Sequence, residues 1–130
     1  MPSVKAASNT GAGHGILLVD NQDDSRAVTR WFLSSFGYAV DVARSGEDAL
    51  ALFDEMVHDL IITGDSLPGI SGSEMAMVLK RRSPSTPVLM YGSSRLNDEH
   101  CLDAILPGSS HLLKIKETVE ELLASLARKS

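Results

Sequence analysis

Two rhythms of apolar residues alternate along this chain. Short, mainly apolar runs occur at 16–19 (ILLV), 38–43 (YAVDVA), 60–63 (LIIT), 88–91 (VLMY) and 111–113 (HLL). Runs of this length, rich in β-branched residues and bounded by turn formers, predict strands buried on both faces. Between them the apolar positions recur at helical spacing. Ala27, Val28, Trp31 and Phe32 mark a first helix, closed by Gly37. Ala49, Leu52 and Phe53 mark a second, which Ser45 caps with Asp48 three residues on. Met75, Val78 and Leu79 mark a third, stopped before SPSTP, and a fourth falls near 97–106. Val119, Leu122, Leu123 and Leu126 give an amphipathic last helix. Five strands alternating with five helices predict an α/β fold: a doubly wound parallel sheet built from right-handed βαβ units. Ligand sites in such sheets form at the carboxyl ends of the strands. The residues expected there are Asp20, Asn21, Asp23 and Asp24 after the first strand and Gly64 and Asp65 after the third. Gly92, Ser93 and Ser94 follow the fourth, and Lys114 the fifth.

Composition narrows the function classes. At 130 residues the chain is expected to be a mobile tail over 1–14 and one domain over 15–130. A net charge of −5 argues against nucleic acid, which calls for clustered Lys and Arg. The short run Lys80, Arg81, Arg82 ends a predicted helix, where cations meet the negative end of the helix dipole. Asp23 and Asp24 at the start of the first helix serve the opposite end in the same way. The single cysteine, Cys101, excludes a disulfide framework and points to a reducing, cytoplasmic setting. No apolar run is long enough to span a bilayer, and no signal peptide is expected. GAGHG, at 11–15, precedes a strand rather than following one, so it is not a dinucleotide loop. His14, His58 and His100 are expected away from any metal site, with His14 and His58 on the surface.

The stretches ILLVDNQDDSR, HDLIITGDSLPGISGSE, PVLMYGSS and HLLKI, in that order and at that spacing, resemble the receiver domain of two-component response regulators. The resemblance covers Gly15 to Arg128. It implies a CheY-like, flavodoxin-like (β/α)5 fold with strand order 2-1-3-4-5. It also implies a phosphorylation site: an acidic pair after the first strand that holds Mg²⁺, and an Asp at the end of the third strand that accepts a phosphoryl group. A Thr or Ser after the fourth strand and a Lys after the fifth complete it. In such a site a carboxylate attacks phosphorus while a hard cation and the Lys neutralise the growing charge.

Carried onto this sequence, the set is incomplete. Asp20 stands at the first acidic position and Asn21, which has no charge, at the second. Counting back four residues from Pro68 puts Gly64 at the acceptor position, and glycine carries no nucleophile. Gly92 stands at the Thr position, with Ser93 beside it. Lys114 matches the lysine, followed by Ile115 where a proline is usual, and His111 occupies the aromatic position just before it. Asp65 is the one neighbouring acid. Adjacent strand residues face opposite ways, so its use would require the DSLPG turn to bring it inward.

These residues imply a signalling protein-interaction module: a degenerate receiver, not an enzyme, with no cofactor, acting by phosphorylation-independent binding. The alternative is an atypical phosphorelay receiver phosphorylated on Asp65 with Mg²⁺, in which Asp20 and Asp65 are the candidate ligands. The expected partner is a signalling protein such as a histidine kinase or an effector domain, with neither nucleic acid nor membrane involved. The expected interaction face carries Tyr91, His111 and the exposed side of the last helix. Two other families fit less well. LLVD also opens the haloacid-dehalogenase site, but the second Asp that chemistry needs is Gln22. A flavodoxin-like electron carrier would set its flavin phosphate against the acidic loop DNQDDSR.

Overall fold

The structure, a computed structural model, describes residues 14–92, 102–107 and 111–129, the last stretch with side chains through residue 126. In chain order the elements are β1 (Gly15–Val19), α1 (Asp23–Ser34), β2 (Ala39–Ala43), α2 (Gly46–Glu55), β3 (Leu60–Gly64), α3 (Gly72–Arg82), β4 (Val88–Gly92), β5 (Ala104–Pro107) and α4 (Leu112–Lys129). The five strands form one parallel sheet in the order β2-β1-β3-β4-β5, as expected.

Strand alternation divides the core between the two faces of the sheet. Ile16, Leu18, Leu60, Ile62 and Leu89 lie on one face, under Leu33 of α1 and Ile115, Val119 and Leu123 of α4. Leu17, Val19, Ile61 and Val88 lie on the other, under Ala49 of α2 and Met75, Ala76 and Leu79 of α3. Ile16 to Val19 are completely buried, which is why β1 reads as an unbroken apolar run. Ser45 caps α2, accepting the Asp48 amide at 3.1 Å, as its spacing predicts. Ser71 and Glu74 form a reciprocal capping box at the start of α3, a pairing not anticipated from the sequence.

Three expectations are corrected. The fifth strand is Ala104–Pro107, not 111–113. HLL opens α4 instead, because Leu112 is in helical phase with Ile115, Val119 and Leu122. The true strand is short and ends in a proline, which is tolerated because β5 is an edge strand. The helix predicted near 97–106 is therefore wrong over Ala104 to Leu106; residues 93–101, with Cys101 and His100, lie outside the described residues. The second correction is the phase of α1. Its buried side is Thr29 and Leu33, with Phe32 and Phe36 packed edge to face beside them. Ala27, Val28 and Trp31 face solvent, Trp31 at 68% exposure. The sequence pattern misled because Thr29, a polar residue, holds a core position. Third, His58 is buried: its Nε2 meets Asp41 Oδ2 at 2.8 Å and its ring stacks on Phe53. His14 is half-buried rather than on the surface. The expected tail over 1–14 lies, up to residue 13, outside the described residues.

Candidate functional site

Parallel register builds the site. Val19 pairs with Thr63, so Asp20 is the next residue beyond β1, beside Gly64. Gly64 in turn pairs with Tyr91, and Tyr91 with Leu106. Asp20, Gly64 and Tyr91 thus form one row across the carboxyl ends of three adjacent strands. Residues in one row of a parallel sheet point to the same face, and this row continues the α1/α4 face set by Leu18, Ile62 and Leu89.

Asp20 is nearly buried, at 6% exposure, and its carboxylate accepts hydrogen bonds at both oxygens. Oδ1 accepts the Gln22 amide at 2.9 Å. Oδ2 accepts the Ser25 hydroxyl at 2.7 Å and also the Tyr91 hydroxyl. The first bond is an Asx-type closure of the turn into α1; the second ties that helix to the turn. The Asp20 amide donates to Ala43 O at 3.1 Å and its carbonyl accepts from Arg26 at 2.9 Å. Arg26 also pairs with Asp23, whose carboxyl is held below its ordinary range by that hydrogen bond and charge. Burial, and then the Asp20 carboxylate beside it, push the Tyr91 hydroxyl far above the ordinary tyrosine value. It remains a hydrogen-bond donor throughout the physiological range.

The row opens onto a pocket of about 220 Å³ lined by Asp20, Asn21, Gln22, Ser25, Gly64, Ser66, Tyr91 and Gly92. Asp65 does not line it. Strand alternation turns its side chain from the Gly64 face, and its Cβ lies 3.6 Å from where a Cβ on Gly92 would stand. Lys114 does not line it either. The expected place of Lys114 after the fifth strand is corrected: it is an exposed residue in the first turn of α4. The residue that follows β5 is Gly108, which, like Ser93, lies outside the described residues. His111 is exposed just before α4, and its carbonyl accepts the amides of Lys114 and Ile115. Tyr91 was expected on an interaction face; its hydroxyl is instead turned inward to Asp20. That pairing spans 71 residues. Its one trace in the sequence is a large aromatic residue in the strand position opposite a glycine.

A larger cavity, of about 380 Å³, lies between Arg26, the end of β2 and α2, and none of the three row residues lines it. The residues present do not fit a Mg²⁺ ion. Asp20 already accepts three hydrogen bonds, Asn21 offers no charge and Gly64 no oxygen beyond its backbone. Mg²⁺ gives up its waters reluctantly and depends on carboxylates free to take their place.

Gly64 has space for a side chain. Its φ is not positive, and an added Cβ would meet only the Val19 carbonyl oxygen, at 3.9 Å. Gly64→Ala is expected to raise stability by about 0.5–1 kcal/mol, since it restricts the unfolded chain without straining the folded one. Urea denaturation measures this. A loss of stability would mean that β3 ends in a backbone conformation reserved for glycine.

Comparison with known proteins agrees with the fold. The family model of the response regulator receiver domain matches residues 16–127. The sensor histidine kinase AtsR of Burkholderia thailandensis is 28% identical over 115 residues, which is 82% of this chain and 19% of that protein's length. The response regulator TrrA of Thermotoga maritima, solved with Mg²⁺ and a beryllium fluoride, is 29% identical with a TM-score of 0.78, over 84% of this chain and 98% of that one. A CheY-like receiver domain protein of Methanospirillum hungatei has a TM-score of 0.85 at 21% identity, covering 90% and 98% of the two chains, and supports the fold alone. With its strand order, its carboxyl-edge row and a family match over nearly its whole length, the chain belongs to the response regulator receiver domains of two-component signal transduction.

Proposed function

We propose that this receiver domain is a non-enzymatic protein-interaction module whose working state does not depend on aspartyl phosphate. The observation that carries the reading is the occupied carboxylate of Asp20: the one acid in the pocket is spent on Gln22, Ser25 and Tyr91. Gly64 and Gly92, at the positions that the family resemblance assigns to the acceptor and the hydroxyl, present no side chain to a phosphoryl group. Lys114 sits on a helix outside the pocket.

The partner is a signalling protein, a histidine kinase or an effector domain. TrrA has been solved in complex with the histidine kinase ThkA, and that chain is 29% identical to this one. The chain spans 19% of the length of AtsR, so a tethered partner is equally consistent with the reading. The surface residues that suit such a partner are the exposed apolar Val28 and Trp31 of α1 and Leu113 beside His111 at the start of α4. No helix among the described residues is long and apolar enough to cross a membrane.

Incubation with acetyl phosphate and Mg²⁺, followed by intact mass measurement, tests the proposal. No mass gain is expected. Addition of beryllofluoride with Mg²⁺ is expected to leave the amide spectrum unchanged around Asp20 and Tyr91. A gain of one phosphoryl group that disappears in Asp65→Asn would replace this reading with a phosphorelay receiver acting through Asp65.

A further inference from the structure

We propose that the Tyr91 hydroxyl and the Asp20 carboxylate form a permanent clamp across the carboxyl edge of the sheet, past the side-chain-free Gly64, and that this clamp holds the end of β4 in place without any ligand. The inference rests on the reading of Gly64 given above and adds to it what the vacated space is used for.

Three observations carry it. The first is distance. Neighbouring strands lie about 4.8 Å apart, so the ends of β1 and β4, with β3 between them, are separated by about 10 Å. Only a long side chain reaches across, and Tyr91 is the long member of the row. The second is room. A Cβ at Gly64 touches only the Val19 carbonyl oxygen, but a longer side chain would extend into the pocket that Asp20 and Tyr91 line. Gly64 lies between the two in the row and adds no side chain to that pocket. The third is exclusivity. Asp20 is almost buried, and the Tyr91 hydroxyl shares Oδ2 with Ser25. A buried carboxylate that accepts charge-assisted bonds at both oxygens is a strong anchor.

The clamp also has a direction. Tyr91 is followed by Gly92, whose φ of +127° is a conformation that side-chain-bearing residues rarely adopt. Gly92 is the last residue of β4 and pairs with Pro107, so fixing Tyr91 fixes the residue before this glycine at the end of the strand. Arg26, held by the Asp20 carbonyl, ties the other end of the clamp to α1. The start of α1 and the end of β4 are thereby joined through Asp20, which Ser25 and Arg26 hold on one side and Tyr91 on the other. A cation drawing on Oδ2 competes with the Tyr91 hydroxyl for that oxygen, so cation binding there and clamping oppose one another.

The test is amide hydrogen exchange on the parent, on Tyr91→Phe and on Tyr38→Phe, with no phosphodonor or cation present. Tyr38 is the chain's other tyrosine, buried far from the row, and controls for the general cost of losing a hydroxyl. Exchange at Met90, Tyr91 and Gly92 is expected to be at least fivefold faster in Tyr91→Phe and unchanged in Tyr38→Phe. A smaller acceleration, or an equal one in both variants, overturns the clamp. In a second arm, Mg²⁺ alone is titrated into Tyr91→Phe and into the parent. Measurable binding to the variant and none to the parent is expected; equal binding to both, or binding to neither, overturns the opposition between cation and clamp. Because no phosphodonor is used, failure here leaves the phosphorylation-independent reading standing. Conversely, a phosphoryl mass gain in the parent would sink that reading while leaving the exchange result intact.

Discussion

Gly72→Ala is expected to lower the melting temperature by about 10 °C. Gly72 is the first residue of α3, and its amide donates to the Asp65 carbonyl at 3.0 Å. A Cβ added there would stand 2.2 Å from the Gly64 carbonyl oxygen and 3.0 Å from the Met90 Cε. The methionine can move, but the carbonyl belongs to the end of β3 and cannot. Relief requires the start of α3 to withdraw from the sheet, which loosens the packing of Met75 and Ala76 beneath it. Overpacking of this kind costs about 3 kcal/mol. For a domain of this size each kcal/mol moves the midpoint by roughly 3–4 °C. Thermal unfolding followed by circular dichroism reads the shift. A variant melting within 3 °C of the parent would show that helix and strand do not approach so closely. Gly64→Ala, at the other side of the same contact, is the opposite case, since its Cβ would meet only the Val19 carbonyl oxygen at an ordinary van der Waals distance of 3.9 Å.

Asp20→Ala is expected to lower the unfolding free energy by about 3 kcal/mol. The substitution leaves three donors without their acceptor: the Gln22 amide, the Ser25 hydroxyl and the Tyr91 hydroxyl. A buried donor left unpaired costs about 1–3 kcal/mol. Gln22 is exposed enough for water to take the place of the carboxylate, so the burden falls on Ser25 and Tyr91. Asp20→Asn retains one acceptor oxygen, and its loss should be intermediate. Urea denaturation of the three proteins should therefore rank parent above Asn above Ala. If Asp20→Ala proves as stable as the parent, Asp20 is not an anchor, and the reading that its carboxylate is unavailable to a cation loses its support.

How much of this was legible beforehand depended on whether the signal was local. The first and third strands were readable because strands buried on both faces must be almost wholly apolar, as residues 16–19 and 60–63 are but for Thr63; the second and fourth were readable from their mostly apolar, β-branched or aromatic make-up. The capped start of α2 was readable because its signal spans only Ser45 to Asp48. The family resemblance rested on such local stretches, and the sheet order it implied was met. Position 64 was identified by counting along the chain, and the structure places it at the end of β3 in the row with Asp20.

The rest was decided by contacts between distant segments. Nothing near Thr29 marks it as a core residue; only the seating of α1 on the sheet turns it inward and leaves Trp31 in solvent. His58 is buried because Asp41, on the edge strand, supplies a partner for its ring. The four residues of β5 carry too weak a pattern to outweigh the Leu-rich opening of α4, and only pairing with β4 makes them a strand. The hydroxyl of Tyr91 and the carboxylate of Asp20 meet because parallel register aligns three strand ends and a phenol is long enough to cross the middle one. Periodicity along a chain records which residues must leave water. Which polar group each buried polar group finds is set by register and helix seating, and these exist only once the sheet has formed.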